Sequence, residues 1–129
     1  MRLRPTACAF VILLIVSGCS PAVRSTAFQS YTPKPKEHPI KIYRTKQPKC
    51  PYEEIGIVSS RQRNKLISME KVMESLKQRA REMGGDAVIG LGEQNETQGA
   101  VTPEGAVVLD RDPVLSGTVI RFKEPDCTD

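Results

Sequence analysis

The apolar and polar positions of this chain change rhythm along its length, and each rhythm predicts an element. Ala7 to Val16 is an unbroken apolar run. From Ser20 to His38 no apolar period survives; prolines, serines, threonines and a mixed basic stretch predict an extended, polyproline-like segment. Ile40 and Ile42 alternate with Lys41 and Tyr43, a short strand. Tyr52 to Ser59, with Ile55, Ile57 and Val58, predicts a second strand, and Gly56 inside it marks a bulge or a close backbone approach. Leu66, Met69, Met73, Leu76, Ala80 and Met83 then recur at steps of three and four, with Val72 widening the stripe. That period predicts a helix packed on a sheet by one face, capped by Ser68 and stopped at Gly84-Gly85.

After the helix, Asp86 to Gly92 is a nearly continuous apolar run suited to an interior strand, so strand, helix and strand in succession predict a right-handed crossover between parallel strands. Glu93 to Glu104 is polar and predicts a loop or ragged hairpin. Ala106–Leu109 and Val114–Phe122 predict two strands, with Asp110-Arg111-Asp112-Pro113 as the turn between them. The expected fold is α+β: one amphipathic helix packed on a small mixed sheet of four to five strands.

The start of the chain carries the strongest statement about location. Arg2 and Arg4 precede the apolar run, which is too short to cross a hydrocarbon core, since that takes about 20 residues. The run ends in Val16-Ser17-Gly18-Cys19. This resembles the lipobox of bacterial lipoproteins. The resemblance implies cleavage before Cys19, a diacylglycerol on its thiol and acylation of the new amine. With Ser20 in place of an aspartate after the lipidated cysteine, it also implies the outer membrane, facing the periplasm. The expected organisation is residues 1–18 as signal peptide, 19–38 as lipidated N-terminus and flexible tether, and 39–129 as the domain. A tether of that length would reach on the order of 60 Å when stretched, at 3.3–3.6 Å per residue.

Charge and cysteines narrow the function classes. The formal net charge is +4, and loss of Arg2 and Arg4 halves it, with no clustered basic face of the kind nucleic acid requires. Of the four cysteines, Cys8 leaves with the signal and Cys19 takes the lipid, leaving Cys50 and Cys127. In an oxidising compartment these are expected to form a disulfide, tying the start of one strand to the end of its antiparallel neighbour. They lack the Cys-x-x-Cys spacing of a redox pair. His38 is the only histidine, so no catalytic triad and no metal cluster is expected, and Asp110 with Asp112 is too few ligands for calcium. No cofactor is expected. Arg61, Arg63 and Lys65 are a candidate contact patch for lipid head groups, cell-wall polymer or an acidic partner, or else a solvated loop entering the helix.

Pro39-Ile40-Lys41-Ile42-Tyr43, Tyr52 to Val58, Ala80 to Val88 and Ser116 to Ile120 together resemble a group of small bacterial envelope lipoproteins, that of the Rcs phosphorelay sensor, and the YbjQ-like, metal-binding domain group. The resemblance spans roughly residues 39 to 122, and the Rcs-type domain carries two disulfides where this chain has cysteines for one. It implies a disulfide-stabilised, lipid-anchored domain. The expected function is a non-enzymatic lipoprotein that binds an envelope protein partner as a stress sensor or assembly accessory. A homo-oligomeric small-ligand or metal binder is the alternative. The expected partners are the bilayer, through Cys19, and a protein; nucleic acid is not expected.

Overall fold

The computed structural model describes residues 21–127; the signal-like start and Cys19 lie outside the described residues. The elements are β1 (Ala22–Ala27), β2 (Lys41–Tyr43), β3 (Tyr52–Arg61), α1 (Met69–Glu82), β4 (Ala87–Val101) and β5 (Val107–Phe122). The strands form one five-stranded sheet in the order β1-β3-β5-β4-β2. β2 and β4 are parallel and every other neighbouring pair is antiparallel. The fold is α+β, with one helix on a mixed sheet. β3 and β4, joined through α1, do run in the same direction, but β5 lies between them.

The core fills the space between α1 and one face of the sheet. Ile55 and Val58 of β3, Val88 and Leu91 of β4, and Leu115 and Val119 of β5 meet Val72, Leu76, Ala80 and Met83 from the helix side. The buried helix positions are shifted from the predicted stripe. Leu66 is 90% exposed and Met69 is exposed at the helix start, whereas Ile67 is buried. The cap explains the shift. Ser68 accepts a hydrogen bond from the Lys71 amide, which places Ile67 one residue before the cap and Val72 four after it. Both join the core cluster, the staple arrangement that fixes how a chain enters a helix. At the other end Gly84 takes φ +86°, a left-handed stop that favours glycine.

Residues 21–38, expected as part of a tether, are instead packed into the fold. Ala22–Ala27 is an edge strand paired with β3 from Ala22–Arg61 to Ala27–Gly56, and Val23 and Tyr31 pack against the core. The next residues are held at the helix end. The Lys34 amide donates to the Arg81 carbonyl at 2.8 Å, and Arg81 Nε donates to the His38 carbonyl at 2.7 Å. Arg81, which lies outside the predicted apolar stripe, is buried for this reason. Asp86 completes the latch: its Oδ1 meets Lys34 Nζ at 3.0 Å and His38 Nε2 at 2.9 Å, and its Oδ2 accepts from the Phe122 amide at 3.0 Å. β1 is therefore part of the domain, ahead of the boundary expected at residue 39.

Two further expectations are corrected between β4 and β5. Glu93 to Val101 is strand, and Asp110-Arg111-Asp112-Pro113 is no turn but part of β5, opposite Gln98, Thr97, Glu96 and Asn95. The reversal lies at Thr102 to Gly105, where the Gly105 amide donates to Thr102 and Gly105 takes φ +81°. Pro113 is tolerated because β5 has there run past its last pairing with β3, Arg61–Val114.

Cys50 and Cys127 are at disulfide distance, with Cα atoms 6.1 Å apart. They flank the Tyr52–Phe122 end of the β3–β5 pair, the antiparallel arrangement expected from the sequence.

Candidate functional site

The pairing places one row of residues across one end of the sheet: Ala22, Arg61, Val114 and Gln94. Three things leave the sheet at this row. The chain towards Pro21 and Cys19 leaves from β1, the loop from Gln62 to Ile67 leaves from β3, and the β4–β5 hairpin continues beyond Gln94 and Val114 as a two-stranded ribbon. The His38–Asp86 latch and the disulfide are at the opposite end.

Strand alternation sorts the side chains of this end. Val23, Ser60 and Leu115 share the helix side, while Ala22 and Arg24 share the other face with Arg61, Ser59, Val114 and Asp112. Arg63 arrives from the loop, and together these residues and Pro21 line a cleft of about 510 Å³. Of the predicted basic patch, Arg61 and Arg63 are brought together here. Lys65 stands on the same loop but is not part of the cleft wall. Sequence reasoning missed Arg24, whose segment was taken for a tether, and Asp112, which was assigned to a turn. Arg24, Arg61 and Arg63 stand with Asp112 among the residues that line the cleft, and planar guanidinium forks of this kind match phosphate.

The loop itself is ordered by its own polar groups. The Leu66 amide donates to Asn64 Oδ1 at 3.0 Å, the Ile67 amide donates to the Asn64 carbonyl at 3.2 Å, and the Gln62 side-chain amide donates to the Ile67 carbonyl. The Gln62 amide donates to the Pro113 carbonyl, joining the loop to the base of the ribbon. The outcome is a turn with Ile67 locked into the core and Leu66 turned out to solvent.

A larger groove of about 960 Å³ runs between β1 and α1, lined by residues including Lys36, Lys71, Glu74 and Arg79. Its charges are in part matched internally: Arg79 pairs with Glu82 at 2.7 Å, and Glu74 with Arg81 at 3.1 Å. Among the described residues, no group of three or more histidine, cysteine or acidic side chains gathers where it could hold a metal ion. Among them, too, no helix is long and apolar enough to cross a membrane.

No family model matches the chain. No curated protein and no solved structure matches it either.

Proposed function

We propose that this protein is a non-enzymatic lipoprotein of the bacterial envelope, anchored through an acylated Cys19 to the outer membrane and facing the periplasm. It binds a protein partner there as a stress sensor or assembly accessory, in the manner of the Rcs-type lipoproteins that its sequence resembles. The observation that carries the reading is the ribbon. Thr97–Arg111 through Val101–Val107 pair only with each other, beyond the last contact of β5 with β3. A two-stranded hairpin is marginally stable by itself in water, so this extension adds little to the fold and is best understood as a contact arm. From the row at Gln94 to the turn it spans on the order of 20 Å, at about 3.4 Å per residue. Because the arm leaves the sheet at the same end as the chain towards Cys19, the partner it fits is a protein embedded in, or lying on, the same bilayer.

The test is reversible crosslinking in native membranes followed by pull-down, comparing the full protein, Cys19→Ala, and a ribbon shortened by deleting residues 97–100 and 108–111. That deletion removes paired positions from both strands and keeps the turn. One dominant envelope partner, lost in both variants while the shortened chain keeps its thermal midpoint, is the expected result. The same partner on the shortened chain overturns the arm. No partner at all, with the protein sedimenting as a symmetric oligomer, overturns the reading in favour of ligand or metal binding.

A further inference from the structure

We infer that the Gln62–Ile67 loop is a bilayer-docking element, in which Leu66 enters the head-group and acyl boundary while Arg24, Arg63 and Lys65 contact the phosphates of anionic phospholipid. The inference rests on the reading of Cys19 as the lipid anchor and adds a second, non-covalent contact of the domain itself with the membrane.

Chain length is the first argument. Only Ser20 and Pro21 stand between Cys19 and β1. At 3.3–3.6 Å per residue, Ala22 stays within about 10 Å of an anchored Cys19. The head-group layer is itself roughly 5–8 Å deep on each side of the hydrocarbon. Ala22 pairs with Arg61, so the loop that follows Arg61 is confined to the membrane surface by geometry. With a long tether this confinement would not exist.

The second argument is the loop's own composition and fold. Leu66 is 90% exposed, the most exposed of the large apolar side chains identified among the described residues. The Asn64 and Gln62 hydrogen bonds hold it outward while its neighbour Ile67 anchors the loop in the core. An outward leucine next to basic residues is the pattern of an interfacial contact: an apolar side chain enters the boundary and the cations stay with the phosphates. The third argument is charge. The cleft beside the loop holds Arg24 and Arg63 together with Asp112, at the end from which the chain runs back towards Cys19. Phosphatidylglycerol-type phosphates are the complementary anion, and each basic residue near such a surface contributes about 1 kcal/mol, roughly fivefold in population.

The test uses the processed full chain reconstituted into vesicles, with a nitroxide on Leu66→Cys and, as a control at the opposite end, on Glu37→Cys. Accessibility to oxygen against a water-soluble relaxation agent reports depth. In mixed phosphatidylcholine–phosphatidylglycerol vesicles the probe at 66 becomes oxygen-accessible and water-shielded, and the probe at 37 stays aqueous. In pure phosphatidylcholine the docked population at 66 falls. Arg24→Ser with Arg63→Ser lowers the docked-to-undocked ratio about fivefold per charge while the circular dichroism is unchanged. A probe at 66 that stays as aqueous as that at 37 on anionic vesicles overturns the docking, and docking indifferent to both the arginines and the lipid charge overturns the role of the arginine cleft. The intact mass of the purified chain reads acylation of Cys19 separately, so failure of the anchor and failure of the docking are told apart.

Discussion

Val23 of β1 stands directly opposite Ser60 of β3, both on the sheet face that α1 covers. Val23 packs against the core cluster, whereas Arg24 beside it projects from the other face. The pair turns the question of tether or strand into a stability measurement. Val23→Asp places an unpartnered carboxylate against the core and is expected to cost about 2 kcal/mol in urea unfolding. Arg24→Ser is expected to stay within about 0.5 kcal/mol of wild type. If the segment were a spacer, neither change would register.

Ser60 supplies the opposite expectation. Its side chain is fully buried and its hydroxyl has no hydrogen-bond partner among the described residues. Leaving a donor unsatisfied costs about 1–3 kcal/mol, so removing the hydroxyl relieves a penalty and leaves only a small void. Ser60→Ala is expected to be neutral or to stabilise by up to about 1 kcal/mol, read from the denaturation midpoint at unchanged slope. A clear loss of stability would mean that the hydroxyl holds an ordered water.

Asp86 joins two segments distant from it in sequence: Lys34 and His38 ahead of β2, and the Phe122 amide at the end of β5. Its side chain is only 13% exposed, so its charged hydrogen bonds are largely shielded from solvent. Asp86→Ala is expected to cost about 2–3 kcal/mol, because the Phe122 amide and the Lys34 ammonium both lose their acceptor. The loss should be local before it is global. Hydrogen exchange at the Lys34 amide, which donates to Arg81, is expected to accelerate by more than exchange in β3 or α1.

How much of this was legible in the sequence depended on whether burial left a period. β3, α1 and the second half of β5 each bury a face, and their apolar spacing shows it. Cys50 and Cys127 flank the ends of two strands, which marked them as a pair, and Gly84 marked the helix stop. β1 is an edge strand with a single side chain packed against the core, Val23, and that one only partly buried, so it left almost no alternation to read. The ribbon pairs with no third strand, and its polar residues therefore read as loop; Asp110 to Pro113 then imitated a turn. The basic site was half legible, because Arg61 and Arg63 are adjacent in sequence while Arg24 joins them only through the β1–β3 register. Leu66 and Ile67 could have been told apart from the cap, since the staple to Val72 selects the residue directly before Ser68.

Tyr31 carries a pH expectation. Burial, followed by hydrogen bonding and charge from Glu53, raises its phenol pKa above the ordinary 10.0; Arg121, 4.8 Å from the ring centre, acts in the other direction. The folded protein therefore keeps a proton that the unfolded chain releases. Stability from this source is present below pH 10.0 and is lost as pH rises through the raised value. A tyrosinate absorbance titration is expected to show a late-ionising component that disappears in Tyr31→Phe, and the variant should lose less stability than wild type above pH 10.0.

The bridge between Cys50 and Cys127 closes most of the domain, with a sequence separation of 77. In the chain-entropy account such a loop restrains the unfolded state by about 4–5 kcal/mol, an upper figure because native contacts and residual structure reduce it. The sheet gives the bridge a specific position. It lies beyond Tyr52–Phe122, where β3 and β5 would otherwise fray, and the Lys123 amide already donates to the Pro51 carbonyl there. Replacing both cysteines by serine is expected to lower stability by about 2–4 kcal/mol, and reduction of the wild type should match it within about 1 kcal/mol. The ribbon and the Leu66 loop lie at the far end of the sheet, so membrane docking at residue 66 should survive loss of the bridge at temperatures where the domain remains folded. Loss of docking in a folded double-serine variant would show that the two ends of the sheet are coupled. Unchanged docking would place the bridge in stability alone.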